Sequence, residues 1–143
     1  MFGKRERRIN RILIVEDEAL VAFDNERLLQ DAGYEIVATV DSLAAAQASL
    51  KSAEPDLVLT DIKLGDVGDG VDVARAARAL GVNVLFATAH PPADGQSLAL
   101  GCLAKPYSGA VLRKALDAID AHLRGEEVRD APPQLTLYGT GQG

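Results

Sequence analysis

Short apolar runs alternate with longer segments of helical periodicity along most of this 143-residue chain. The short runs are β-branched or continuously apolar, as expected of strands that are buried on both faces. They predict five strands, at residues 12–15, 35–40, 57–60, 82–88 and 102–105. Between them, apolar residues recur every three or four positions, which is typical of helices that pack one face against a sheet.

The residues between these segments agree with the predicted boundaries. Gly33 and Gly81 stand where helices can end in the left-handed region, and Ser42 and Ser108 can cap the helices that follow them. The connection between the fourth and fifth strands differs, because the letters PPADG leave only residues 93–100 for a helix. We expect this fourth helix to be short or mobile.

The regular alternation of strands and helices predicts the fold class. Successive strands separated by helices form a parallel sheet with right-handed crossovers. We therefore expect an α/β fold of the flavodoxin-like, doubly wound kind, with five parallel strands in the order 2-1-3-4-5 and helices on both faces. The chain is long enough for one such domain with a substantial core.

Composition narrows the classes of protein to consider. No apolar run approaches the roughly 20 residues that cross a bilayer, and the start of the chain lacks the apolar segment of a secretion signal. The single cysteine, Cys102, argues against a disulfide framework and fits a reducing compartment. We therefore expect a cytoplasmic protein that does not associate with membranes.

The net charge of -6 disfavours nonspecific binding to nucleic acid. Residues 1–8 are nevertheless basic, and we interpret them as a solvated N-terminal tail. Residues 125–143 are rich in glycine, proline and polar residues and lack periodicity, which favours a flexible C-terminal tail. The predicted domain therefore occupies residues 9–124.

Polar side chains stand at the predicted ends of four strands. Glu16 and Asp17 follow the first strand, Asp61 the third, Thr88 ends the fourth and Lys105 ends the fifth. In an open parallel sheet the carboxyl ends of the strands share one edge, where chemistry gathers. Crowded carboxylates require a compensating cation, and an oxygen-rich site with room for water suits Mg²⁺. This explains why the apolar run ILIV ends in the acids EDE.

These residues carry a resemblance to a known family. The segments ILIVEDE, LVLTDIKLGD, LFATAH and LAKPY are similar to the receiver domain of bacterial two-component response regulators, over nearly all of residues 9–124. The resemblance implies a signalling domain rather than an enzyme, with Asp61 as acceptor of a phosphoryl group from a sensor histidine kinase. General chemistry agrees, because an aspartate is already ionised at neutral pH and phosphoryl transfer relies on positioning and charge neutralisation.

The resemblance also implies roles for the other site residues. Asp17 and Asp61 would ligate Mg²⁺ directly, Glu16 mainly through water, and Lys63 through its backbone carbonyl. Thr88 and Lys105 would sense the phosphate, Thr88 by bonding a phosphoryl oxygen and Lys105 by pairing with Asp61 or its phosphate. A cis bond between Lys105 and Pro106 is implied as well.

The chain departs from the usual family pattern in the loop that follows Asp61. A proline usually stands four residues after the acceptor, whereas this chain has Gly65 in the stretch GDVGDG. We expect a more pliable loop there. Asp66 and Asp69 are additional acids in this loop, and we favour turn residues or helix caps over metal ligands.

The second departure concerns the switch that follows phosphorylation. Receivers commonly carry a tyrosine or phenylalanine three residues before the lysine, where this chain has Cys102. A buried cysteine packs as a small apolar group, so it cannot act as a rotating ring. Phe86, Ala87 and Thr88 resemble a receiver subset with a Phe-Ala-Thr signature at this strand end. His90 either replaces the moving ring or is an ordinary loop histidine, and we favour the second interpretation.

Members of that subset are often single-domain regulators that work with sensor kinases of the HWE type. We expect the same here, because no DNA-binding domain follows the predicted receiver, so the output partner is another protein. The chain is expected to be a monomer or a weak dimer. Two alternatives stay open: a phosphate sink or phosphorelay intermediate without conformational output, and a flavodoxin-like cofactor-binding domain. The acids EDE count against the second, since they repel a cofactor phosphate.

Overall fold

A computed structural model of the chain describes residues 7–64, 69–89 and 98–138. Its centre is one six-stranded sheet in the order β2-β1-β3-β4-β5-β6, in which the first five strands are parallel and β6 is antiparallel to β5. The strands are β1 Arg11–Val15, β2 Glu35–Val40, β3 Leu57–Thr60, β4 Asn83–Thr88, β5 Gly101–Ala104 and β6 Leu135–Leu137. The predicted α/β fold and the order of its first five strands are confirmed.

Four helices occur in the described ranges: α1 Ala19–Asp31, α2 Leu43–Ala53, α3 Gly70–Ala79 and α4 Gly109–Leu123. Ser42 and Ser108 cap α2 and α4 through side-chain oxygens that accept from the backbone nitrogens of Ala45 and Val111, at 3.2 Å each. Gly33 and Gly81 adopt φ values of +97° and +74°, as predicted for helix ends. The helix predicted within residues 93–100 falls mainly on residues 93–97, which lie outside the described ranges.

The sheet is covered on both faces, and each face has its own core. One core contains Leu29 of α1 and Leu112 and Leu116 of α4, together with Ile12 and Ile14 of β1. The other core lies under α2 and α3 and contains the intervening residues of β1, which point to the opposite face because side chains alternate along a strand. Burial on both faces explains why the strand sequences are continuously apolar.

The C-terminal region differs from the prediction. Residues 125–143 were expected to form a flexible tail, but β6 pairs with the outer edge of β5, with Cys102 opposite Thr136 and Leu103 opposite Leu135. The predicted count of five strands is therefore corrected to six. A three-residue strand that follows two prolines has too little alternation to be identified as a strand from sequence.

The start of the described chain is held against α4. Backbone nitrogens of Arg8 and Ile9 donate to the Asp120 carboxylate at 2.7 and 2.9 Å, and the Ile9 side chain is buried. Arg124 pairs with the same carboxylate at 2.9 Å. Asp120 is thus a buried acid whose partners fix the entry of the chain into β1.

Candidate functional site

The carboxyl ends of β1, β3, β4 and β5 meet at one edge of the sheet. A cavity of about 400 Å³ lies there, lined by Asp17, Glu18, Asp61, Ile62, Lys63, Thr88, Ala89 and Lys105. The predicted polar residues of four different strand ends therefore share one site. Glu16 adjoins it through its contact with Lys105.

Lys105 is the cation at the centre of this site. Its Nζ lies 2.8 Å from Glu16 Oε1 and 2.9 Å from Asp61 Oδ2, and it lies 3.9 Å from Glu18 Oε1. Burial alone would lower the pKa of Lys105, but the hydrogen bonds to Glu16 and Asp61 outweigh it, so the pKa is raised above its ordinary value. Lys105 is therefore a permanent positive charge that compensates for the clustered acids.

Glu16 is the buried acid of the site, with 4% of its surface exposed. Burial raises the pKa of Glu16, against the opposing effects of the Lys105 hydrogen bond and of the Glu18 backbone nitrogen, which donates to Glu16 Oε2 at 3.1 Å. These donors favour the ionised form of a carboxylate that burial disfavours. The negative charge of the buried Glu16 therefore needs the Lys105 ammonium more than the charge of the exposed Glu18 does.

Asp61 is placed by the backbone on both sides of it. Its nitrogen donates to Val15 O at 3.1 Å, and the nitrogen of Lys63 donates to Asp61 Oδ1 at 3.3 Å. The side chain keeps 13% of its surface exposed toward the cavity. Asp61 thus presents a carboxylate that is held in position by neighbours and accessible from solvent.

Gly70, the first residue of α3, permits the close packing behind Asp61. A Cβ at position 70 would lie 1.8 Å from the backbone oxygen of Asp61, and the Gly70 nitrogen donates to Ile62 O at 2.6 Å. Asp69 caps α3 by accepting from the nitrogens of Val71 and Asp72 at 3.0 and 3.1 Å. The interpretation of Asp69 as a helix cap is confirmed, whereas Gly65 and Asp66 lie outside the described residues.

The donor atoms of the site suit a hard divalent cation. Carboxylate oxygens of Glu16, Glu18 and Asp61 lie within 4.8 Å of one another, and Asp17 lines the same cavity. Oxygen ligands with space for water match the coordination of Mg²⁺. Glu18 was not among the predicted site residues, because sequence alone gave no reason to separate it from the start of α1.

The remaining predicted residues lie at β4 and β5. Thr88 is buried and lines the cavity, and its backbone oxygen accepts from the Lys105 nitrogen at 3.0 Å. The peptide bond between Lys105 and Pro106 is cis, as the resemblance implied. Cys102 is buried in β5, whereas His90 lies outside the described residues.

Comparison with known proteins defines the class to which this fold and site belong. A family model described as "Response regulator receiver domain" matches residues 12–117. The chain is 35% identical over 82 residues to the phyllosphere-induced regulator PhyR of Methylorubrum extorquens, with 56% of this chain and 31% of that protein covered. It is 31% identical over 120 residues to the transcriptional regulatory protein PdtaR of Mycobacterium tuberculosis, with 80% and 58% covered.

The solved structures agree on the fold. A response regulator receiver domain protein (CheY-like) from Methanospirillum hungatei superimposes with a TM-score of 0.72 at 21% identity, over 83% of this chain and 99% of that one. The chain belongs to the response regulator receiver domain family, whose members are signalling domains. It spans 31% and 58% of the length of the two curated relatives named above.

Within the described residues, every helix is too short or too polar to span a lipid bilayer.

Proposed function

We propose that Asp61 accepts a phosphoryl group from a sensor histidine kinase in the cytoplasm, and that the phosphorylated chain signals through altered contacts with another protein. The observation that carries this proposal is the position of the Asp61 carboxylate, which faces an open cavity with the Lys105 ammonium 2.9 Å away. Membership of the receiver family supports it.

The transfer balances as a displacement at phosphorus. An Asp61 carboxylate oxygen attacks the phosphorus of a phosphohistidine, the new P–O bond forms as the P–N bond breaks, and the imidazole nitrogen leaves with the electron pair. Water later attacks the acyl phosphate, which returns the Asp61 carboxylate and inorganic phosphate. Because the nucleophile needs no deprotonation, the protein contributes mainly position and charge neutralisation.

The described side chains divide that task. When the phosphoryl group is added to Asp61, the Lys105 ammonium pairs with it. The Thr88 hydroxyl donates a hydrogen bond to a phosphoryl oxygen. Asp17, Asp61 and the Lys63 carbonyl would hold Mg²⁺, with Glu16 contributing through water and Glu18 adding negative charge. The bound metal supplies neutralisation of the phosphoryl oxygens.

Incubation with phosphoramidate and Mg²⁺ tests the acceptor. In this reaction the carboxylate attacks phosphorus, the P–N bond breaks and ammonia leaves. Intact mass should show one added phosphoryl group on the wild type and none on Asp61→Asn. Asp41→Asn is the matched control, because Asp41 is an exposed acid that follows β2. Equal phosphorylation of the wild type and Asp61→Asn would reject Asp61 as the acceptor.

The surface of α1 beside the site has features of a protein-binding surface. Leu20 and Phe23 are one helical turn apart and are 80% and 56% exposed. A groove of about 480 Å³ lies between α1 and residues 105–109, and it shares Lys105 with the Asp61 cavity. Leu20 and Phe23 precede the groove residues Val21 and Asp24 in the sequence, and exposed apolar side chains near a groove indicate a protein contact. We assign this surface to the helical phosphodonor domain of the kinase, whose docking here would bring its phosphohistidine near Asp61.

Substitution of Phe23 separates docking from chemistry. Phe23→Ala should slow transfer from a phosphorylated sensor kinase of the HWE type roughly tenfold or more, as expected for loss of an aromatic interface residue. Its reaction with phosphoramidate should not change. Leu80→Ala is the control, since Leu80 is a similarly exposed apolar residue, 52% exposed, that follows α3. If Phe23→Ala and Leu80→Ala accept phosphate from the kinase equally well, the docking assignment is wrong.

A further inference from the structure

The C-terminal segment 134–138 closes the outer edge of β5. Beyond the strand pairing itself, the Ala104 nitrogen donates to Gln134 O at 3.0 Å and the Tyr138 nitrogen donates to Leu100 O at 2.9 Å. Gly101 makes this approach possible, because a Cβ there would lie 2.4 Å from Thr136 O. The β5 edge and segment 134–138 are therefore complementary in backbone hydrogen bonding and in shape.

Tyr138 is the buried anchor of this segment. Only 8% of its surface is exposed, and it belongs to the core that contains Phe86 and Cys102. Its hydroxyl lies near the Cys102 thiol, and each of these two groups influences the pKa of the other. The ring thus lies against the small residue at the centre of β5, two positions before the end of the strand.

The same segment is connected to the functional site through very few bonds. Ala104, which is bonded to Gln134, immediately precedes Lys105, whose nitrogen is bonded to Thr88 O at 3.0 Å. Lys105, the residue after β5, is therefore adjacent in sequence to the residue that bonds the first residue of segment 134–138. Phe86, in the core with Tyr138, lies two residues before Thr88 on β4.

The contacts that the segment makes through β6 are limited. β6 has three residues, and the side chains of Leu135 and Leu137 are only partly buried. Gln134 Oε1 is buried and finds no hydrogen-bond partner among the described residues, which costs free energy in the docked state. Segments with few buried contacts open at low cost compared with global unfolding.

We propose that segment 134–138 is a latch whose docking is coupled to the state of Asp61, with Tyr138 as its positioning residue. The docked arrangement is the one in which Lys105 holds the unmodified Asp61 carboxylate. Phosphorylation redirects Lys105 toward the added phosphoryl oxygens. This movement weakens the hydrogen bond between the Ala104 nitrogen at the end of β5 and Gln134 O. The latch therefore opens in the phosphorylated chain, and it uncovers the β5 edge and Cys102. This inference rests on the proposed function of Asp61.

The single thiol of the chain provides the measurement, because Cys102 is buried beneath Tyr138 and no other cysteine is present. The rate at which Cys102 reacts with an aromatic disulfide reagent reports opening of the latch. With phosphoramidate and Mg²⁺, the wild-type rate should rise at least about fivefold, at the lower end of ordinary coupling factors. Asp61→Asn should show no rise.

Two variants identify the anchor. Tyr138→Ala should react fast whether or not Asp61 is phosphorylated, because its latch is already open. Thr136→Ala is the matched control on the same strand, since Thr136 is exposed, and it should behave as the wild type. Circular dichroism of each variant establishes that the fold is retained. If Tyr138→Ala and Thr136→Ala react alike, Tyr138 is not the anchor.

Intact mass of the same samples separates the two proposals. A wild type that gains the phosphoryl group while Cys102 reacts at an unchanged rate overturns the latch and leaves the acceptor assignment intact, and it favours the phosphate sink or relay. A wild type that gains no phosphoryl group overturns the acceptor assignment and, with it, the coupled latch.

Discussion

Lys105 determines how the acids of the site coexist. Glu16, Glu18 and Asp61 have oxygens within 4.8 Å of one another, and the ammonium of Lys105 touches two of these residues at 2.8 and 2.9 Å. A divalent cation would serve the same electrostatic purpose. The site therefore has one fixed positive charge and room for a second, exchangeable one.

Lys105→Ala should still bind Mg²⁺ but should respond less to phosphorylation. It should also lose about 2 kcal/mol of stability at neutral pH, because the buried Glu16 carboxylate loses a charged partner. In this variant the pKa of Glu16 in the folded chain rises further above its unfolded value. The loss should therefore shrink as the pH falls and Glu16 takes up a proton.

Urea unfolding at pH 7 and pH 5, with a Mg²⁺ titration at pH 7, measures these effects. Lys63→Ala is the control, since the Lys63 side chain is exposed. A collapse of Mg²⁺ affinity in Lys105→Ala would show that Lys105 has been placed wrongly.

Gly70 has a similar importance for the backbone of the site. Gly70→Ala should cost about 2 kcal/mol and slow the phosphorylation of Asp61, because a Cβ 1.8 Å from the Asp61 oxygen forces the loop to move. Gly109→Ala is the matched control at the start of α4. There the nearest atoms are 2.7 Å away and belong to the movable end of Leu28, so a near-neutral effect is expected. Equal unfolding free energies of the two variants would contradict this explanation.

At the scale of the elements, β6 leads directly into a tyrosine whose pKa is perturbed. Burial, with a smaller contribution from Cys102, raises the pKa of Tyr138, the residue that follows the strand, to about 12 from its ordinary value of 10.0. The folded chain therefore retains this proton at pH values where the unfolded chain has released it. Stability is unaffected below the unfolded pKa and falls as the pH rises from there toward the folded pKa.

Tyr138→Phe should remove this dependence. Between pH 9 and pH 11 the wild type should lose about 1 kcal/mol more stability than Tyr138→Phe, since each unit of pKa difference corresponds to about 1.4 kcal/mol. Urea unfolding at the two pH values measures the difference, and titration of the lysines is common to both proteins. Parallel losses would mean that Tyr138 titrates as an exposed phenol.

The elements also show what the sequence could and could not predict. β2 and β3 have the predicted bounds, because short apolar runs rich in β-branched residues between turns are typical of strands. In the sequence, Leu80 continues the helical spacing of Val73 and Ala77, but α3 ends at Ala79 and Leu80 is exposed. Helical periodicity identifies a face well but locates its last turn poorly.

The site followed a similar pattern. Asp61, Thr88 and Lys105 could be placed together because strand ends determine their position. Glu18 and Tyr138 could not, since Glu18 enters the site through the local path of the chain after β1, and Tyr138 reaches the core beside Cys102 through a pairing between strands distant in sequence. Neither local path nor distant edge pairing has a periodic signature.

At the scale of the whole molecule, the two ends of the described chain are both used to complete the domain. Ile9 and Arg8 fasten one end to Asp120 of α4, while segment 134–138 fastens the other to β5. The family match at residues 12–117 includes neither attachment. The family fold is therefore supplemented in this protein by contacts from outside the matched region.

The antiparallel β6 also has a consequence for where the chain can be cut. A fragment of residues 1–124 would leave the backbone groups of Gly101–Ala104 without their outer partners, and bare strand edges pair with one another. Light scattering should show self-association of that fragment and not of residues 1–138, which retain β6. A boundary placed at the end of the family match would likewise lie before β6, so it would leave this sheet edge uncovered and prone to self-association.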